Sequence, residues 1–78
     1  VAEIVELMVR KTCGSCDRVR EQIKDVIAQA GVEFRVCDVE DDPQLQVEFG
    51  DRVPVVVIDG EEFACWEVDN AELANALL

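Results

Sequence analysis

The sequence predicts an α/β domain with the element order β-α-β-α-β-β-α. Three observations carry that expectation. Apolar runs of strand length open the chain and recur after residue 54. Between them lies a stretch whose apolar residues repeat with a helical period. An Asp59-Gly60 pair separates the last two strand-like segments.

Ile4 to Val9 reads Ile-Val-Glu-Leu-Met-Val. Such a run is expected to be a central strand, buried on both faces and parallel to at least one neighbour. The polar turn Arg10-Lys11-Thr12 follows. From Cys16 the period changes: Val19, Ile23, Val26, Ile27 and Ala30 fall on one face of a helix, and Gly31 supplies its stop. Val32-Glu33-Phe34-Arg35-Val36 alternates apolar and polar residues, as a half-exposed strand does. Asp38 to Asp42 is an acidic turn.

Pro43 opens and Gly50 closes a short segment that favours one or two helical turns. Leu45, Val47 and Phe49 also alternate as they would in a strand. Val55-Val56-Val57-Ile58 is a β-branched strand. Asp59 and Gly60 tolerate the positive φ of a type I′ turn, so the chain should return as a strand over Phe63 to Trp66. Asp69 is placed to cap a last helix, with Glu72 as reciprocal partner and Val68 and Leu73 as a hydrophobic staple. Leu77 and Leu78 are expected to close the core.

At 78 residues the chain has room for one small domain, expected to span residues 1–78. Half the residues are apolar, which argues for a packed globule. No apolar run approaches the roughly 18–20 residues needed to cross a bilayer. No basic stretch leads into an apolar one with a cleavage site, so no signal peptide is expected. Net charge is −11, which repels nucleic acid and anionic membranes. The charge is uneven. Residues 1–37 carry six basic and six acidic side chains, whereas residues 38–78 carry one and twelve. The acidic half reads first as a solubilising surface, and second as a guide for a basic partner protein.

Four cysteines in a short chain raise the question of a disulfide scaffold. Cys37 and Cys65 sit in strand-like apolar runs, not in loops, and read as small buried hydrophobes. One reactive pair with two ordinary thiols suits a cytoplasmic protein.

The pair is Cys13-Gly14-Ser15-Cys16. A C-x-x-C can be a redox pair or half of a zinc site. Here it lies between a buried strand and an amphipathic helix, the context in which it reads as thioredoxin-like. A zinc site wants four ligands, and the chain has no His. A helix N-terminus favours a nearby anion, so Cys13 should be the nucleophilic thiolate. Cys16, within the first turn, is better shielded and suited to resolve a mixed disulfide. Gly14 and Ser15 are small and leave the Cys13 sulfur open to a bulky substrate. Val53-Pro54 precedes the third strand, where a cis peptide would present the Val53 backbone to an extended thiol peptide. Arg10, Lys11, Arg18, Arg20 and Arg52 could form a positive rim that stabilises the thiolate and holds the carboxylates of glutathione. They also read as ordinary solvated charges, and Asp17 opposes the effect. Trp66 reads as core or strand-end packing before it reads as a substrate platform.

These residues together resemble the glutaredoxin-like branch of the thioredoxin-fold family. The resemblance spans nearly the whole chain: a strand, Lys11-Thr12-Cys13-Gly14-Ser15-Cys16, a helix, then Val53-Pro54 before a strand and hairpin. The stretch from Asp51 to Gly60 looks like small bacterial glutaredoxin-like proteins. The resemblance implies a four-stranded mixed sheet flanked by three helices. It implies Cys13 as attacking thiol, Cys16 as resolving thiol, Pro54 as a cis proline, and Val53 as backbone partner of substrate. Gly-Ser stands where Pro-Tyr is frequent between the cysteines, and Arg52 where Thr is usual. The Gly-Gly stretch that helps bind glutathione is replaced by Cys65-Trp66-Glu67-Val68-Asp69, in which Asp69 matches a family position.

The expected function is thiol–disulfide exchange on protein disulfides or glutathione mixed disulfides. No tightly bound cofactor is expected; glutathione or another small thiol would be a co-substrate, and a thiol or flavin reductase the electron source. The protein is expected to be a monomer. Two alternatives are a glutathione-assisted iron–sulfur carrier and a non-catalytic binding module.

Overall fold

A computed structural model of the protein describes residues 2–78. Strand β1 (Ile4–Val9) lies inside the sheet, which is ordered β2-β1-β3-β4 with β2 at Glu33–Asp38, β3 at Val55–Ile58 and β4 at Glu61–Cys65. β1 runs parallel to β2, with Met8 opposite Cys37, and antiparallel to β3, with Met8 opposite Val55. β3 and β4 are antiparallel, with Val55 opposite Cys65. The helices are α1 (Gly14–Ala30), α2 (Pro43–Phe49) and α3 (Asn70–Ala76), and a 3-10 turn spans Val39–Asp41. The result is a four-stranded mixed sheet with three helices, in the expected order.

Alternation along β1 divides the core into two layers, because successive strand side chains point to opposite faces. Val5 and Leu7 pack with Val19, Ile23 and Ile27 of α1 and with Leu73 and Leu77. Met8 packs on the other face with Val39, Phe49, Val55 and Val57. α1 and α3 therefore cover one face and α2 the other. Each fully buried side chain of Leu or Ile size contributes about 1.5–3 kcal/mol.

The ends of the elements are set by local hydrogen bonding. α1 stops at Gly31, whose φ of 71° is left-handed. Gly31 N–H donates to the Ala28 carbonyl and Val32 N–H to that of Ile27, the Schellman pattern. Val32 thus belongs to the cap and the core. β2 starts one residue later than expected and runs on to Asp38. At residues 43–49 helix prevails over alternation. Asp42 Oδ1 accepts the Gln44 N–H at 2.9 Å, and Pro43 occupies the first turn. Val47 is consequently 88% exposed.

The Asp59-Gly60 turn has φ values of 50° and 85°, as a type I′ hairpin needs. Asp59 does more than turn the chain: its Oδ1 accepts the N–H groups of Glu3 and Ile4 at 2.9 and 3.0 Å. Those bonds hold its carboxyl below the ordinary range. The return strand begins at Glu61 and ends at Cys65, so Trp66 falls outside it. Two expectations about the core are corrected. Leu78 is 83% exposed while Leu77 is buried, and Ala30 is exposed at the last turn of α1. α3 ends at Ala76, so Leu77 enters the core as its C-cap and Leu78 lies past the helix end.

Candidate active site

Cys13 is the N-cap of α1. Its backbone is extended (φ −117°, ψ 104°), and its Sγ accepts the Cys16 N–H at 3.1 Å. That bond satisfies one of the donors a helix N-terminus leaves free. Cys13 is half-buried, whereas Cys16, on the face of α1 that packs against the sheet, is only 2% exposed. The two are joined by a disulfide, with Cα atoms 5.2 Å apart. Gly14 and Ser15 are exposed. A Cβ placed on Gly14 would meet nothing within 4 Å.

The sheet register brings the remaining elements to the same end. Met8 pairs with Val55 and Val55 with Cys65. The exit of β1 toward Cys13, the entry to β3 from Pro54 and the exit of β4 toward Trp66 therefore lie together. The Val53–Pro54 peptide bond is cis. Pro54 is buried and its carbonyl accepts the Trp66 N–H at 2.8 Å. Val53 is half-buried, against the Met8 layer. Among the described residues its backbone N–H and C=O make no hydrogen bond.

Lys11, Arg52 and Arg10 are committed within the chain. Lys11 Nζ lies 3.0 Å from both Asp38 and Asp41, and its backbone N–H donates to Glu40. Hydrogen bonds to Asp38 and then Asp41 push the Lys11 ammonium up to about 12. The Asp38 carboxyl is held down, first by the Glu40 N–H and then by Lys11. Arg52 Nη1 donates to both oxygens of Glu62 at 2.6 and 2.8 Å, and Nη2 to the Glu48 carbonyl. Its guanidinium also lies over Phe49, 5.8 Å from the ring centroid. Arg10 Nε donates to the Gly50 carbonyl at 3.0 Å. Arg18 and Arg20 are exposed on α1 and form no salt bridge among the described residues.

Asp69 sits at the start of α3 as its N-cap, Oδ1 accepting from Ala71 N–H and Glu72 N–H at 2.8 and 3.1 Å. Glu72 takes part through its backbone. Gln22 of α1 donates to the Val68 carbonyl and to Asn70 Oδ1, tying α1 to the start of α3. No periodicity or motif marks Gln22, because its partners lie 46 and 48 residues away.

Two further expectations are corrected. Cys37 and Cys65 are half-buried at the edges of the Met8 layer, not enclosed in it. They sit on the two outer strands, where only the short α2 covers that face. The Cys37 thiol donates to Glu6 Oε2 at 3.7 Å. Burial, then the charge of Glu6, pushes it above the ordinary thiol range. Trp66 is not core: it is 58% exposed, with φ of 68°. Among the described residues no three His, Cys, Asp or Glu side chains gather as a metal site, and no helix is long and apolar enough to cross a membrane.

A cysteine pair opening the first helix of a mixed β-α-β-α-β-β-α sheet defines a thioredoxin-fold protein. Solved structures share that fold. Protein Ne2328 of Nitrosomonas europaea superposes with a TM-score of 0.83 at 18% identity, covering 100% of this chain and 94% of that one. Protein XcR50 of X. campestris gives 0.70 at 32% identity, over 94% and 93%. Thioredoxin 1 of Thermosipho africanus gives 0.70 at 19% identity, over 95% and 89%. Within that class the chain belongs to the glutaredoxin-like domain family (DUF836), which matches residues 4–78. Uncharacterised proteins of Mycobacterium bovis and Mycobacterium tuberculosis are 42% identical over 74 residues, covering 88% of this chain and 76% of theirs. The fold together with the Cys13–Cys16 disulfide points to redox function.

Proposed function

We propose that the protein is a dithiol oxidoreductase that exchanges its Cys13–Cys16 pair with protein disulfides or glutathione mixed disulfides. One observation carries the reading: the Cys13 sulfur caps α1 and accepts the Cys16 N–H, so a negative charge on it is stabilised where it must form. In the reduced protein the Cys13 thiolate attacks a substrate sulfur, forming a mixed disulfide and releasing the first substrate thiolate. Cys16 then loses its proton and attacks Cys13 Sγ, closing the protein disulfide and releasing the second thiolate. Two electrons pass from the dithiol to the substrate, and solvent protons balance the thiolates. The burial of Cys16 keeps it from competing for the first attack. The unpaired Val53 backbone offers an extended substrate a place to bind by strand addition. Re-reduction takes a small thiol or a flavin reductase, which the reducing pools of the cytoplasm supply.

The test is disulfide reduction coupled in turn to glutathione reductase and to thioredoxin reductase, on wild type, Cys13→Ser and Cys16→Ser. Wild type turns over, Cys13→Ser is inactive, and Cys16→Ser accumulates a mixed disulfide visible by mass spectrometry. Turnover by Cys13→Ser at the wild-type rate would remove the mechanism.

A further inference from the structure

We infer that the exchange site selects disulfides flanked by basic side chains, with the exposed Trp66 indole as the surface on which those cations rest. The inference rests on the exchange reading above and names its substrate class. The first observation is the placement of Trp66. Tryptophan is highly buried on average, though rarely wholly enclosed. Here it is 58% exposed, directly after β4, at the end of the sheet where Cys13 and Pro54 lie. Its backbone is held at both sides. Trp66 N–H donates to the Pro54 carbonyl and Glu67 N–H to that of Cys65, both at 2.8 Å, closing a three-residue turn around a φ of 68°. An aromatic residue seldom adopts that conformation without a constraint. The ring is thus presented to solvent on a fixed stem, one hydrogen bond from the proline beside the site.

The second observation is independent and concerns what else a substrate meets there. One ammonium, Lys11, is set against the carboxylates of Asp38 and Asp41, with Glu40 on its backbone. Arg52 is neutralised by a two-pronged pair with Glu62. Glu67, next to Trp66, and Asp17, next to Cys16, have no ion-pair partner among the described residues. Arg18, which has no ion pair among the described residues, stands two positions from buried Cys16. It lies about 200° around the helix and so faces away from the sheet. Glutathione, with two carboxylates and one ammonium, finds Lys11 and Arg52 already held by carboxylates and Arg10 tied through Nε to the Gly50 carbonyl. A substrate Arg or Lys finds an indole face and adjacent negative charge, the combination that holds cations most strongly.

The test uses the pre-reduced protein in single turnover, so no external reductant enters. The substrates are disulfide-linked dimers of a short peptide with Arg on both sides of its cysteine, the same peptide with Glu, glutathione disulfide and neutral hydroxyethyl disulfide. Each rate is divided by that for dithiothreitol, which removes differences in leaving-group thiol. At low salt the Arg peptide should exceed the Glu peptide and glutathione disulfide by about tenfold or more, narrowing as salt screens the charges. Trp66→Ala should lower the Arg-to-Glu ratio about three-fold, and Trp66→Phe should restore most of it. A wild-type ratio at or below one, or a ratio untouched by Trp66→Ala, overturns the inference while leaving exchange in place. If wild type fails to reduce hydroxyethyl disulfide as well, the exchange reading falls and this inference with it.

Discussion

Replacing Gly50 with Ala should destabilise the protein, although its backbone conformation says otherwise. Gly50 has φ −54° and ψ −31°, an ordinary right-handed helical geometry. At such dihedrals Gly→Ala usually stabilises by about 0.4–1 kcal/mol, through the unfolded chain. The obstacle here is space. A Cβ at Gly50 would collide with the Gln46 carbonyl oxygen and would stand 3.0 Å from Arg10 Nη2. The first contact is backbone and cannot swing away. The second belongs to the side chain whose Nε already holds the Gly50 carbonyl. Overpacking of this kind costs about 1–3 kcal/mol, enough to reverse the sign. Gly14→Ala is the matched control, since its Cβ meets nothing and α1 gains a better helix former. Urea unfolding of the two oxidised variants reads both effects. Gly14→Ala should raise the midpoint and Gly50→Ala lower it, the latter with a loss in melting temperature of about 4–8 °C per kcal/mol. A Gly50→Ala midpoint at or above wild type, with an unchanged m-value, would show that α2 yields easily and would refute the argument. The exposed place of Gly14 next to Cys13 adds a second readout. Gly14→Ala should slow reduction of folded protein disulfides more than that of small ones.

Four further outcomes are expected. Asp38 and Asp59 titrate lower in the fold than unfolded, so their contribution is complete above the unfolded value of about 3.9 and is lost as pH falls below it. Acid unfolding followed by circular dichroism should begin there, and Asp59→Asn, which keeps the turn, should flatten the slope. Lys11, raised to about 12, contributes in the opposite sense: fully below about 10.4 and progressively lost as pH rises toward 12. Cys37 is held protonated by burial and by Glu6; iodoacetamide at pH 8 should leave it unmodified while Cys13 of the reduced protein reacts, as peptide mass mapping will show. Leu7, wholly enclosed in the α1–α3 layer, should cost about 2–5 kcal/mol as Leu7→Ala, a large share of the roughly 5–15 kcal/mol of a typical domain.

The elements that could be read from residue order are those whose signal is local. β1 is an apolar run, α1 a stripe closed by Gly31, and the β3–β4 turn an Asp-Gly pair, and all three formed as read. Even the Cys pair is local, because a helix start and two thiols three residues apart make a site within one turn. What could not be read depends on partners distant in sequence. Trp66 looks like core until the register shows β4 ending at Cys65, opposite Val55. Lys11 and Arg52 read either as a positive rim or as ordinary solvated charges, and the carboxylates of Asp41 and Glu62 that decide the matter lie 30 and 10 residues away. Lys11 meets Glu40 and Asp41 across separations of 29 and 30 residues. That meeting is a consequence of the sheet. Pairing β1 parallel to β2 sets Val9 opposite Asp38. The residues leaving β1 must then run beside those leaving β2, and the acidic turn from Asp38 to Asp42 is delivered to the basic turn from Arg10 to Lys11. The lopsided charge of the two halves is therefore resolved at the redox end by the same strand register that builds it. A substrate arriving there meets Lys11 and Arg52 already held by carboxylates.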